Sequence, residues 1–379
     1  MRFLKPHYYD RFQCTADQCP DTCCAGWQIV IDDDSLEKYG EIQGAFGSRL
    51  RNSIDWQEGI FYQYDGKCSF LNENKFCDIY QELGEDALCE TCRMYPRHVE
   101  EYEGLRELSL SLSCPVSAEM ILGCKEKVRF EEYFTEEEDD FEEFDSLMFS
   151  QLEDARDVIF KILQNRNWDL RFRIFAVSSL AEEFQKCVDD ERAYDIDELL
   201  SGYSDEKNLL LKWKADDIVN SCTQYEKVYD RRLKEWSLLN RLERLRPEWT
   251  DVLRTCRELL YSHGKQQYEN ICREFQNACG FDGSQKEPWS IMGEQLMMFF
   301  VYTYFCGSVY DDMVSTKMGI AVFSTEWIQE LLMARWLKNG KKLDFSDITE
   351  IAWRYAREAE HSDQNLDMLE RWLSLSYNT

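Results

Sequence analysis

From about Leu152 to the C-terminus, apolar residues recur three and four positions apart, as in Val158, Ile159, Ile162 and Leu163, or Trp327, Ile328, Leu331, Leu332 and Trp336. That spacing lines one stripe of a helix and predicts a second part of the chain that is nearly all helical. Ser201 to Asp205, His263 to Lys265 and Gly280 to Pro288 break the pattern with turn-forming residues, often just before a cap and a new apolar run. The uncharged stretch Leu296 to Tyr310 is shorter than the roughly 20 residues of a membrane span and carries hydroxyls, so it reads as a buried helix. Pairs such as Trp236 with Leu239 and Met297 with Val301 suit core packing.

The first 124 residues follow another pattern. Trp27 to Ile31 is bulky and β-branched, as in an extended segment, whereas Ser35 to Leu50 and Glu107 to Lys125 have helical spacing. Pro6, Pro20, Pro96 and Pro115 fall here, leaving two prolines beyond. Glu131 to Asp145 then packs ten acids and no base into fifteen positions, a pattern of a solvated linker or an interaction segment. The expected architecture is therefore mostly α. A small irregular Cys-rich domain (1–124) is followed by an acidic connector (125–150) and an all-helical domain (151–379).

Charge narrows the partners. Lys and Arg number 44 against 73 Asp and Glu, for a net charge of -29 over 379 residues. Such a surface repels nucleic acid and anionic lipid, so proteins or small molecules remain as partners; the oligomeric state is left open. Met1 to Phe12 has no apolar signal-peptide core, which predicts a cytoplasmic protein.

Ten of the sixteen cysteines lie in the first 124 residues. In a reducing compartment such density points to metal ligation more than to disulfides. The candidate ligands are Cys14, Cys19, Cys23 and Cys24, then Cys68 and Cys77, Cys89 and Cys92, and Cys114. A Cys-x2-Cys turn presents two sulfurs to one ion and suits both zinc and iron–sulfur ligation. The Cys-Pro pairs at 19–20 and 114–115 lean towards iron and sulfide. Adjacent Cys23 and Cys24 point in different directions, which leaves either two centres or one ligand beside a packing thiol. Cys124 and the isolated Cys187, Cys222, Cys256, Cys272, Cys279 and Cys306 read as buried packing thiols.

The ordered segments Cys19-Pro-Asp-Thr-Cys-Cys-Ala-Gly-Trp-Gln-Ile, Lys67-Cys-Ser-Phe-Leu, Cys77-Asp-Ile, Leu83-Gly-Glu, Thr91-Cys-Arg-Met-Tyr-Pro-Arg and Leu112-Ser-Cys-Pro resemble the bacterial flagellin lysine-N-methylases, which carry a zinc- or iron-chelating domain. Tyr355 to Leu366 (YAREAEHSDQNL) resembles that family's C-terminal region; Cys89 is an addition to the commoner pattern. The resemblance implies a methyltransferase that uses S-adenosylmethionine on flagellin lysines, with a 4Fe-4S cluster. No Gly-x-Gly-x-x-Gly turn follows a predicted strand, so the usual Rossmann site for the donor is missing. A cluster iron without a Cys ligand, with Arg93 or Arg97 on the donor carboxylate, is the economical alternative. His361 is a candidate base or a satisfied helix-end histidine, and no catalytic residue is singled out. Rival readings are a metal-binding adaptor or carrier, and an iron–sulfur redox protein.

Overall fold

The computed structural model describes residues 1–136, 144–213, 218, 225–280 and 288–377. The core of the acidic stretch, 137–143, and the break after Gly280 therefore lie outside the described residues, as does Cys222.

Among the described residues helices dominate. In the N-terminal part they are α1 (Asp33–Glu41), α2 (Gly44–Asn52), α3 (Asp78–Leu83), α4 (Glu90–Met94) and α5 (Pro115–Leu122). Then follow α6 (Ser146–Leu163), α7 (Leu170–Asp189), α8 (Ile196–Ser204), α9 (Glu206–Lys212), α10 (Tyr225–Leu239) and α11 (Pro247–Cys256). The chain ends in α12 (Lys265–Ala278), α13 (Trp289–Tyr304), α14 (Val314–Lys338), α15 (Phe345–Glu360) and α16 (Asp363–Tyr377). The mostly α expectation holds. Helices α13 and α14 are buried around most of their circumference, as a central helix must be when apolar residues occupy every face. Leu296 to Tyr310 is indeed helical and mostly buried, ending in a 3-10 turn at Phe305–Tyr310 whose last residue, Tyr310, is exposed.

Among the described residues the strands lie between Arg2 and Phe134. β1 (Arg2–Pro6) lies between β7 (Leu105–Leu110), parallel to it, and β8 (Phe130–Phe134), antiparallel; β6 (Arg97–Tyr102) completes the sheet as an antiparallel neighbour of β7. Two-residue ladders, β2 (Ile54–Asp55) with β3 (Ile60–Phe61) and β4 (Gln63–Tyr64) with β5 (Lys67–Cys68), shape the Cys-rich segment.

Helix was expected from Glu107 onward, but Leu105–Leu110 is strand. Leu105, Glu107 and Ser109 alternate as buried positions, and β7 is paired on both edges. Helix begins only at Pro115, whose fixed φ suits a first helical position. Ser35 to Leu50 is likewise split, because the chain turns at Ile42 and Gln43, and Gly44 takes φ +85°. Trp27 to Ile31 keeps only a single bridge, Val30 to Ile60.

Two apolar clusters result. The small one holds Ile29, Ile31, Tyr39, Phe61, Phe70 and Ile79, with Cys68 and Cys89 among its buried members. The large one joins Leu4 to Phe12, Tyr102 to Val128 and the helices from α6 to α16. Residues at both ends of the Cys-rich third thus pack into the helical body. Glu107 on β7 and Arg156 on α6, both buried, seal that junction with a bidentate pair, one arm of 2.6 Å.

A second buried charge group lies inside the helices. Arg232 on α10 meets Glu235 (2.6 Å), Glu326 (2.8 Å) and Glu330 (3.5 Å), while Tyr261 and Tyr268 donate to Glu330 at 2.6 and 2.7 Å. Burial works against the Glu326 carboxylate, but Arg231 and Arg232 outweigh it and hold its pKa at about 2. Arg232→Met should destabilise the fold by about 3–5 kcal/mol, because buried carboxylates lose their cation. Thermal unfolding checks it. The loss should grow as pH rises from about 2 to about 4.5, the range in which the wild-type Glu326 gains stability by ionising beside its cations, and should be complete above it.

Candidate functional site

The cysteine loop is built by local hydrogen bonds. The Cys24 N–H donates to Thr22 Oγ1 (3.1 Å), the Thr22 N–H to Asp21 (2.8 Å) and the Trp27 indole to the Cys23 carbonyl (2.7 Å). Cys24 O accepts from Cys68 N (2.8 Å), which ties the loop to the β4–β5 ladder. Leu71 bridges to Cys77 at the start of α3, and Asp32 accepts from both the Ser35 and Glu90 N–H groups, joining α1 to α4 beside Cys89 and Cys92. Cys114 caps α5. All fifteen described cysteines are free thiols.

The thiols are crowded. Cys23 and Cys24 share a hydrogen bond that lowers the proton affinity of Cys24 and raises that of Cys23. Burial pushes Cys68 up to about 12 and Cys77 up to about 11, with the nearby Cys24 adding to both. Thiols so placed are held protonated by the protein alone; a coordinated cation reverses this, because a ligating thiol gives up its proton. The donor chemistry therefore fits zinc or an iron–sulfur cluster. Among the described residues no three His, Cys, Asp or Glu side chains close around one point. The chain supplies a gathered donor set, not a finished coordination sphere.

The end of α15 lies against this loop. Arg357, 6% exposed, donates from Nε to the Ser113 carbonyl (3.0 Å) and from Nη1 to Asp21 and the Thr22 carbonyl (3.2 Å). Arg246 Nη2 reaches the same Thr22 carbonyl at 2.9 Å and Asp21 at 3.6 Å. Asp21 is thus flanked by two guanidiniums. Glu358 accepts from the Leu245 and Arg246 N–H groups at 3.0 and 2.8 Å, while burial pushes its carboxyl up to about 7. Asn365 bonds the Glu243 backbone on both sides and the Glu358 carbonyl at 2.7 Å. The stretch Tyr355 to Leu366 therefore fixes the start of α11 and, through it, Arg246.

His361, at the C-cap of α15, stands 2.5 Å from Ser113 Oγ, which also meets Tyr95 Oη (3.0 Å) and Ser111 Oγ (2.7 Å). Its ring packs 5.2 Å from Trp27 and 5.8 Å from Tyr95. Burial, then Arg357 and Arg246, push the imidazole down to about 4, so it is neutral near pH 7. The space between Trp27, Tyr95, Arg246, Arg357 and His361 is about 10 Å3, at the lower limit for one water. A larger cavity of about 410 Å3 lies in the helical body, walled in part by Arg232, Glu326 and Glu330, whose charges are paired with one another.

Of the arginines expected to hold a carboxylate, Arg93 is exposed on α4 and Arg97 lies over the Phe12 ring at 5.2 Å. The guanidiniums at the cysteine loop belong instead to Arg246 and Arg357. Arg357 carried a signal, because it sits in the family-like C-terminal stretch. Arg246 had none. His98 pairs with Glu100 at 2.6 Å on the exposed edge strand.

Residues 156–379 match the FliB lysine N-methylase C-terminal domain, more than half of the chain. The chain belongs to the FliB lysine N-methylase family. Membership makes it one of a family of enzymes. It is 31% identical over 127 residues to the flagellar biosynthetic protein FliU of Salmonella muenchen, covering 31% of this chain and 75% of FliU. The lysine-N-methylases of Salmonella typhimurium and Salmonella choleraesuis are 31% and 30% identical over stretches of the same length, 31% of this chain. The matched region spans about a third (32%) of each of those two methylases. No solved structure matches. No helix among the described residues is long and apolar enough to cross a membrane.

Gly26 tests the clamp. It takes φ +85°, and a Cβ there would sit 2.6 Å from Arg246 Nε. Gly26→Ala should lower stability by about 1–3 kcal/mol through strain and displacement of Arg246. In a double-mutant cycle read by thermal unfolding, Gly26→Ala with Arg246→Ala should cost less than the sum of the single changes.

Proposed function

We propose that this protein transfers methyl groups from S-adenosylmethionine to lysine side chains of flagellin in the cytoplasm, and that its N-terminal thiolates hold a 4Fe-4S cluster. The observation that carries this reading is the meeting of two family-like stretches far apart in sequence. Arg357 and His361, from the C-terminal stretch, bond to Asp21, Thr22 and Ser113 beside Cys19, Cys23 and Cys114. The names of the relatives support lysine as the acceptor and a flagellar protein as its bearer.

Methyl transfer sets definite demands. The lysine ammonium, with an ordinary pKa of about 10.4, must first lose a proton, since it has no lone pair for attack. The amine nitrogen then forms the new bond to the methyl carbon while the carbon–sulfur bond breaks and its electron pair returns to the sulfonium sulfur. When bound, the cluster supplies a positively charged iron for the donor's amino and carboxylate groups. Arg357 and Arg246 hold the Cys19 to Cys24 loop in place, and Arg357 would offset the charge that Cys19 and Cys23 take on when they ligate metal, working against the burial that keeps both protonated. Trp27, Tyr95 and His361 close the seam against water, a condition that lowers the affinity of a lysine for its proton. The surplus of acids over bases attracts the lysine-bearing surface.

The test is transfer of labelled methyl groups to flagellin lysines by anaerobically purified full-length protein. Transfer from wild type, with at least a tenfold loss in Arg357→Ala that retains its metal and its fold, supports the reading. Wild type with verified metal that binds no donor and transfers no methyl would overturn it in favour of a metal-binding adaptor.

A further inference from the structure

The helical body keeps a cavity of about 410 Å3 that, among the described residues, shares no lining side chain with the seam around His361. Its size falls within the range of small-molecule sites, about 300–1,000 Å3, and the space between packed helices is a common place for them. Three helices turn partly uncovered faces into it. On α14, every residue between 318 and 334 is buried except Val322, Glu326 and Gln329, and all three line the cavity. Their spacing of four and three positions puts them on one face. Ile174 and Phe175 of α7 and Val228 of α10 are likewise half-buried and add apolar wall.

The charges on this wall run against those of the chain. Arg171, Lys227, Arg231 and Arg232 line it with Glu326 and Glu330, four cations against two acids among the described residues, whereas the whole sequence has 44 against 73. Both acids are already engaged. Glu326 holds Arg231 (3.0 Å) and Arg232 (2.8 Å), while Glu330 accepts from Tyr261 and Tyr268 and lies 3.5 Å from Arg232. Arg171 is bound to Asp169 at 2.7 Å. Uncommitted positive charge remains on α10. Lys227 is exposed and its ammonium has no partner among the described residues, and Arg231 keeps Nη1 beyond its contacts with Glu326 and Glu235. Four positions apart, the two lie on one face of the helix.

We propose that this cavity binds a small organic anion with a flat apolar body, its charged group held by Lys227 and Arg231 and its body between Ile174 and Phe175 of α7 and Val322 of α14. A guanidinium with donors to spare beside a free ammonium suits a phosphate or a carboxylate. The Phe175 ring is fixed edge-to-face against Trp213 at 5.3 Å, so it offers an aromatic surface already in place. A cationic ligand is disfavoured, because both carboxylates have their cations and the open groups are positive. The Glu326 ion pairs hold α10 to α14 from within the wall, which keeps the anion site formed before a ligand arrives. This site draws on none of the cysteines or seam residues invoked for methyl transfer, so it goes beyond that reading and does not depend on it.

Fluorescence of anilinonaphthalene sulfonate, an aromatic anion, tests the site on full-length protein. Wild type should bind the probe saturably. Folded Lys227→Glu should bind it at least about tenfold more weakly, since an attractive charge becomes a repulsive one at an exposed position. Val322→Trp, which fills the cavity, should abolish saturable binding. Competition then separates the sources of the anion: displacement by adenosine monophosphate assigns a phosphate, and displacement by indole acetate a carboxylate. Displacement by neither overturns the proposal, as does neutral adenosine competing as well as its monophosphate. So does a folded Lys227→Glu protein that binds the probe like wild type. Wild type that binds none of the three anions overturns it even if both variants fail to fold.

Discussion

A single buried guanidinium decides how the two ends of this chain meet. Arg357 lies at the end of α15, yet all three of its protein acceptors, Asp21, the Thr22 carbonyl and the Ser113 carbonyl, belong to the first third of the sequence. A cation this deeply desolvated is tolerated only when its donors are occupied, so the cysteine loop cannot leave without exposing a costly charge. Arg246 repeats the grip on Thr22, and its own position depends on Glu358, one residue from Arg357. Loop, helix end and α11 are therefore one mechanical unit.

Electrostatics at the seam run opposite to those of the molecule. The chain carries a net charge of -29, but the loop with its thiols faces Arg246 and Arg357, which both meet Asp21. Two cations beside a group of sulfurs make sense if the sulfurs are to become thiolates, since nearby positive charge favours the ionised form.

Much of this was legible in the sequence, for physical reasons that also explain what was not. Helical periodicity is local, so α14 with Trp327, Ile328 and Leu331 could be read directly, and so could the burial of Leu296 to Tyr310. The cysteine groups are marked by residue type. Strand β7 was misread because its alternation includes Glu107, which looks like a surface residue until Arg156 on α6 is seen to neutralise it. Arg246 was invisible for a similar reason. Its meaning lies in Thr22, 224 positions away, and no pattern of neighbours encodes a partner at that distance. Arg93 and Arg97 lay near the cysteines in sequence, but α4 exposes the first and β6 lays the second over Phe12.

The proton that lysine must lose bears on His361. An imidazole whose pKa has been pushed down to about 4 is a poor acceptor for a proton held at about 10.4. Proximity to the cysteine loop therefore does not make it a base. What its geometry does provide is a neutral ring, fixed by Ser113 and packed between Trp27 and Tyr95, that fills the seam without adding positive charge next to Arg357. A charged histidine there would repel both arginines.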